Sequence, residues 1–142
     1  MNQNTEFLNY IYQNSEMGVN TIEQIIKIIN HDEFSRHLQL QLKEYQSIYN
    51  TAKQMLNQSG CQEKDISSMQ KITTYMAVSM KTLTDKTPSH ISEMLIQGST
   101  MGIIDATKNI KKYSGAEKNI IELANRLLKI EENNIEQLKK FL

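Results

Sequence analysis

The sequence predicts an all-α fold, an antiparallel four-helix bundle with one additional shorter helix, on three observations. Apolar residues recur at spacings of three and four through almost the whole chain, which gathers them on one face of a helix. Glycine and proline are scarce, five and one in 142 residues, so long stretches run without a helix breaker. The residues that stop or cap helices cluster near residues 30, 60, 87 and 115.

The first helix is expected from about Asn4 to Asn30, where Leu8, Ile11, Tyr12, Val19, Ile22, Ile25, Ile26 and Ile29 form a stripe. Asn30-His31-Asp32 interrupts it, and Asp32 is placed to cap the next helix by accepting free backbone N–H groups of the first turn. That second helix carries Phe34, Leu38, Leu42, Tyr45, Ile48, Tyr49, Ala52, Met55 and Leu56. It ends at Gly60, a residue suited to the left-handed conformation at a helix C-terminus. Asp65 is the next expected cap, opening a shorter third helix of about 18 residues with Met69, Ile72, Met76, Met80 and Leu83. Thr87-Pro88 pairs a cap with proline at the first helical position, where the missing N–H costs nothing. The fourth helix then runs to about Tyr113 with Ile91, Met94, Leu95, Met101, Ile103, Ile104, Ala106 and Ile110. Ser114 and Glu117 have capping-box spacing around Gly115. The last helix continues through Ile120, Ile121, Ala124, Leu127, Leu128, Ile135, Leu138 and Leu142.

The connections at residues 30–32 and 113–116 are too short to return the chain to the far end of a helix, so each makes an antiparallel hairpin. The segment from 60 to 87 joins the two hairpins. If it climbs the bundle, the connectivity has one crossover; a simple five-helix up-down bundle has the same endpoints, and both stay open. A chain of this length suits one domain, 1–142, whose core needs no disulfide or structural metal.

Sixteen basic residues balance sixteen acidic ones, so the field that attracts nucleic acid or an anionic membrane is missing. Only Arg36 and Arg126 are arginines, and lysine lacks the planar fork that reads phosphates and base edges. Neither nucleic acid nor membrane is expected as a partner. The single Cys61 has no internal disulfide partner and fits a reducing compartment. No window approaches the roughly 18 apolar residues of a membrane span, and no basic segment leads an apolar one at the N-terminus. The expected location is the cytoplasm.

Carboxylates near mid-helix are the candidate chemistry. Di-iron bundles place glutamates inward on four helices, two of them followed three residues later by histidine, which puts both ligands on one face. Glu16, Glu44 and Glu131 lie near the middle of the first, second and last helices, and Glu131 falls on the apolar stripe between Leu127/Leu128 and Ile135. The histidine positions are taken by Ser47 and Asn134. On the fourth helix the nearest acceptors are Glu93, Gln97 and Asp105, with Gly98 and Gly102 spaced for close backbone approach.

His31, His37 and His90 are expected at one end of the bundle, with Glu33 and Glu93 one turn from His37 and His90. Imidazole with carboxylate suits zinc or another divalent ion. Met69, Met76, Met80, Met94 and Met101 read as adaptable core filler, or as an apolar groove for a partner helix. Tyr45, Tyr49, Tyr75 and Tyr113 read as core-edge residues whose hydroxyls reach water. No glycine-rich phosphate loop, Ser-His-Asp or Cys-His grouping is assembled by local spacing.

The two hairpins, the connecting segment, the mid-helix glutamates and the run Glu131-Glu132-Asn133-Asn134-Ile135-Glu136-Gln137-Leu138-Lys139 together resemble the ferritin-like superfamily. The likeness is greatest to its small bacterial members of unassigned function; spore-coat-associated bundles belong to the same broad group. The resemblance implies ferritin-like connectivity over nearly the whole chain. Glu16, Glu44 and Glu131 would be the ligands of iron or another divalent metal in such a bundle, a set that here lacks its histidines.

The expected function is therefore non-catalytic, through self-association into a homo-oligomer or binding of a helical partner, with no cofactor. The isoleucine run Ile22, Ile25, Ile26, Ile28, Ile29 is broader than one packing seam and motivates it. A ferritin-like carboxylate metal protein with a degenerate site is the alternative.

Overall fold

The computed structural model describes residues 2–61 and 70–142. Among these residues five α-helices follow in order, α1 (Gln3–Ile28), α2 (Asp32–Gln58), α3 (Gln70–Lys81), α4 (Pro88–Lys112) and α5 (Lys118–Leu138), with a 3₁₀ turn at Lys139–Phe141. The expected cap Asp65 and Met69 lie outside the described residues.

Contacts at the two ends fix the connectivity. At one end the Phe7 and Tyr113 rings stack at 5.1 Å, joining the start of α1 to the end of α4. Thr5 Oγ1 lies 3.3 Å from Cys61 Sγ, bringing the end of α2 to the same place. At the other end Phe141 packs on Phe34 at 4.9 Å and on His37 at 5.0 Å, and its turn also meets α4. The second helix thus ends where the first began, while the fourth begins at the opposite end. The connection from Cys61 to Thr87 therefore joins opposite ends, as both topologies require, and α3 separates them: at 12 residues it is about half the length of the other four helices and packs chiefly on α4, the short helix of a single crossover. Within it, α3 bridges α1 and α4: Thr73 Oγ1 is 3.7 Å from Met17 Sδ, and the Tyr75 hydroxyl donates to Gln97 Oε1 at 2.8 Å.

Local chemistry explains most boundaries. Gly60 holds φ +76° after the last turn of α2, in the left-handed region that glycine enters without strain. Thr87 caps α4 by accepting from the His90 N–H at 3.3 Å, with Pro88 opening the helix. Thr87→Ala is expected to lower unfolding free energy by about 1 kcal/mol in a urea titration.

Two caps differ from the sequence expectation. The cap of α2 is His31, whose Nδ1 accepts from the Phe34 N–H at 3.1 Å; Asp32 sits in the first turn, where its charge favours the helix N-terminus. At α5 neither Ser114 nor Glu117 makes a side-chain cap bond. Glu117 instead pairs reciprocally with Asn4, its N–H donating to Asn4 Oδ1 at 2.8 Å while Asn4 Nδ2 donates to Glu117 Oε1 at 3.2 Å. A tertiary contact has displaced the local one.

The core is drawn from all five helices, with Phe7, Ile11, Phe34, Leu38, Ile72, Ile91 and Leu127 among its fully buried side chains. The isoleucine run of α1 is largely absorbed: Ile22 and Ile25 are buried, and Ile26 and Ile29 pack against the core. Leu142, expected on the last stripe, is exposed beyond the 3₁₀ turn. No helix among the described residues is long and apolar enough to cross a membrane.

Candidate functional site

The middle of the bundle is polar. Asn14 of α1, Gln41 and Tyr45 of α2, Ser99 of α4, and Glu131 and Asn134 of α5 are all buried there. Asn14, Gln41, Tyr45, Ser99 and Glu131 line a cavity of about 40 Å³, walled elsewhere by Ile22, Ile72, Met76 and Leu95. At roughly 10–15 Å³ per water, that space holds about three water-sized groups.

Glu131 is the centre of this chamber and is only 3% exposed. The Tyr45 hydroxyl donates to its Oε2 at 2.9 Å. Burial pushes its pKa up to about 7, against the smaller lowering effect of hydrogen bonds from Tyr45 and Ser99. The Tyr45 hydroxyl is held well above its ordinary pKa, by burial first and then by the Glu131 charge. Tyr10 is raised too, chiefly by burial, while Asn14 Nδ2 donates to its oxygen at 3.2 Å.

Two glycines make room for these groups. A Cβ on Gly102 would lie 3.2 Å from Glu131 Oε1, and one on Gly18 would lie 2.7 Å from the Tyr45 ring. The Gly98/Gly102 pair thus gives one residue to the buried carboxyl, while Gly98 receives the Met76 sulfur of α3.

The chamber is not fully satisfied from within. Gln41 Nε2 has no hydrogen-bond partner among the described residues. Buried amides are normally paired, so such an orphan marks a place where another molecule can bind.

The other expected ligands lie elsewhere. Among the described residues no group of three or more His, Cys, Asp or Glu side chains comes together that could hold a metal. Helix geometry gives the reason. With Asn14 and Gly18 facing the chamber one turn apart, Glu16 falls midway and points away; it meets the Tyr12 hydroxyl beside Tyr49. Glu44 is adjacent in sequence to the inward Tyr45 and therefore turns to the α2/α5 surface, near Lys43, Ser47, Arg126 and Lys129. Its pKa is raised by partial burial. Ser47, at the first missing histidine, accepts from Arg126 Nη2 at 2.7 Å at the surface. Asn134, at the second, is buried beside Tyr45. His37 packs on Phe141, and His90 is exposed in the first turn of α4.

Sequence reasoning placed Tyr45 at the core edge with its hydroxyl in water; it is buried and bonded to Glu131. Tyr10, Asn14, Gln41 and Ser99 were not singled out. The signal was present as polar residues within apolar stripes: Gln41 follows Leu38 by three and precedes Tyr45 by four, and Asn14 continues Phe7 and Ile11. Comparison with known protein families, with curated proteins and with solved structures gives no match.

Proposed function

We propose that this protein acts by binding rather than by catalysis, and that the chamber around Glu131 is its binding element. The observation carrying this reading is a central cavity to which α1, α2, α4 and α5 each contribute a buried polar side chain, with Gln41 Nε2 left without a partner among the described residues. One-crossover connectivity supports placing the chain in the ferritin-like superfamily, with hydrogen-bonding side chains where a metal cluster would otherwise stand.

Thermal denaturation of the full chain against a panel of small alcohols, amides, amines and carboxylates, and against Fe²⁺, Mn²⁺ and Zn²⁺, tests the reading. A ligand of the native state raises the midpoint by mass action. At least one small polar class is expected to do so in the native sequence and not in Gln41→Leu. No stabilisation by any compound defeats the proposal, and stabilisation by a metal alone, lost in Glu131→Gln, favours the carboxylate metal site.

A second reading is association with another copy of the chain. It is favoured by a groove between α1 and α3 lined by Met17, Met76 and Met80, with exposed Val78 on the same helix as the last two. A formal net charge of zero also removes long-range repulsion between copies. Light scattering coupled to size exclusion is expected to give a dimer mass under this reading, and a strict monomer rejects self-association in favour of a helical partner or none.

A further inference from the structure

The chamber makes two hydrogen-bonding demands at once. Gln41 Nε2 is a buried donor without an acceptor among the described residues. Glu131 has lone pairs beyond those engaged by Tyr45 and Ser99, and its Oε1 lies on the side of Gly102, where no side chain intervenes.

Three ligand chemistries can be weighed against these demands. A small cation would satisfy Glu131 and leave the Gln41 N–H groups unmet. With Glu131 ionised, above pH 7, a small carboxylate would satisfy Gln41 and bring like charge to Glu131. A neutral molecule with a carbonyl oxygen and an N–H on adjacent atoms meets both, its oxygen accepting from Gln41 and its N–H donating to Glu131. Space for about three water-sized groups limits it to a few non-hydrogen atoms. Ile22, Ile72 and Leu95 offer an apolar wall for a methyl group.

We propose that the chamber binds a small primary amide, of the size of formamide or acetamide, between Gln41 and Glu131. The assignment rests on the reading of the chamber as the binding element. Met76 lines both the chamber and the open groove between α1 and α3. For so few atoms the affinity ceiling lies on the order of 0.1 mM, so millimolar binding is expected.

The test is a titration of the ¹⁵N-labelled full chain with acetamide, acetate and methylammonium at about pH 8, where Glu131 is ionised, and constant ionic strength, each to about 50 mM. The Gln41 side-chain amide and Gly102 backbone amide resonances are followed. Acetamide is expected to shift both saturably, with the two ions at least about tenfold weaker. Gln41→Leu is expected to abolish the acetamide response while raising the thermal midpoint, a combination that a purely structural role for Gln41 does not produce. Gln41→Met, similar in volume, serves if the leucine variant misfolds. Saturation by acetate or methylammonium without acetamide overturns the amide assignment and leaves the chamber reading standing. If none of the three saturates and the Gln41 amide shows transfer only from bound water, the chamber is a hydration site and both readings fall.

Discussion

Glu131→Gln is expected to stabilise the protein by about 3 kcal/mol at pH 8 and by little at pH 4. The native carboxyl titrates at about 7 against an ordinary 4.5, so the folded state holds a proton that the unfolded state releases earlier. Below pH 4.5 both states are protonated and the group carries no penalty. Stability then falls as pH rises from 4.5 to 7, and above that the full penalty stands, about 1.4 kcal/mol for each pKa unit. Glutamine keeps an oxygen for the Tyr45 hydroxyl and never ionises, so the variant's stability should be flat across this window. For a chain of this length the gain corresponds to roughly 10 °C in the thermal midpoint. Urea titrations from pH 4 to pH 8 decide the matter: parallel curves for the two proteins would mean that Glu131 does not titrate inside the fold.

A native protein that tolerates such a penalty at its centre has an apolar solution one substitution away. Burying a carboxyl, an amide N–H group without a partner among the described residues and two tyrosine hydroxyls where leucines would pack is unfavourable by several kcal/mol. Residues kept against stability are the ones most often kept for a ligand. The chamber is favoured over any surface feature, because the exposed large apolar residues Leu40, Val78, Ile104 and Leu142 are dispersed over three helices and the residue after the 3₁₀ turn.

The helices were legible because their signals are local. Stripe spacing, Gly60 and Thr87-Pro88 act within one or two turns; both punctuation signals fell where expected, and so did the stripes apart from Leu83, beyond the end of α3, and the exposed Ile104 and Leu142. The crossover was not legible, because its endpoints suit two topologies and only the shortness of α3 and its packing on α4 distinguish them. The caps failed where a partner distant in sequence intervened, as Asn4 does at Glu117. For the site, Glu131 was found because it interrupts an apolar stripe. Glu16 and Glu44 were grouped with it by height along the helix alone, whereas ligation also requires the right rotation about the helix axis. The polar partners that do surround Glu131 are asparagine, glutamine, serine and tyrosine, types equally common on solvated faces, so composition gives them no emphasis.

Gly18→Ala is expected to destabilise the fold by about 2–4 kcal/mol, although alanine is the better helix former by about 1 kcal/mol. The added methyl would lie 2.7 Å from two Tyr45 ring carbons and 2.8 Å from a third. The ring is flat and rigid and 6% exposed, and its hydroxyl is tied to Glu131, so it yields only by breaking that bond. The substitution therefore adds an overpacking strain to the loss of a buried charge-assisted hydrogen bond. Tyr45→Leu removes the ring that the methyl strikes, so the double variant should lose less than the sum of the two single ones, with a coupling of about 1–2 kcal/mol. Urea denaturation of the four proteins at pH 5, where Glu131 is protonated in the fold, isolates packing from charge. Strict additivity in that cycle would show that Gly18 and Tyr45 are not in contact, and would remove the support that holds the Tyr45 hydroxyl over Glu131.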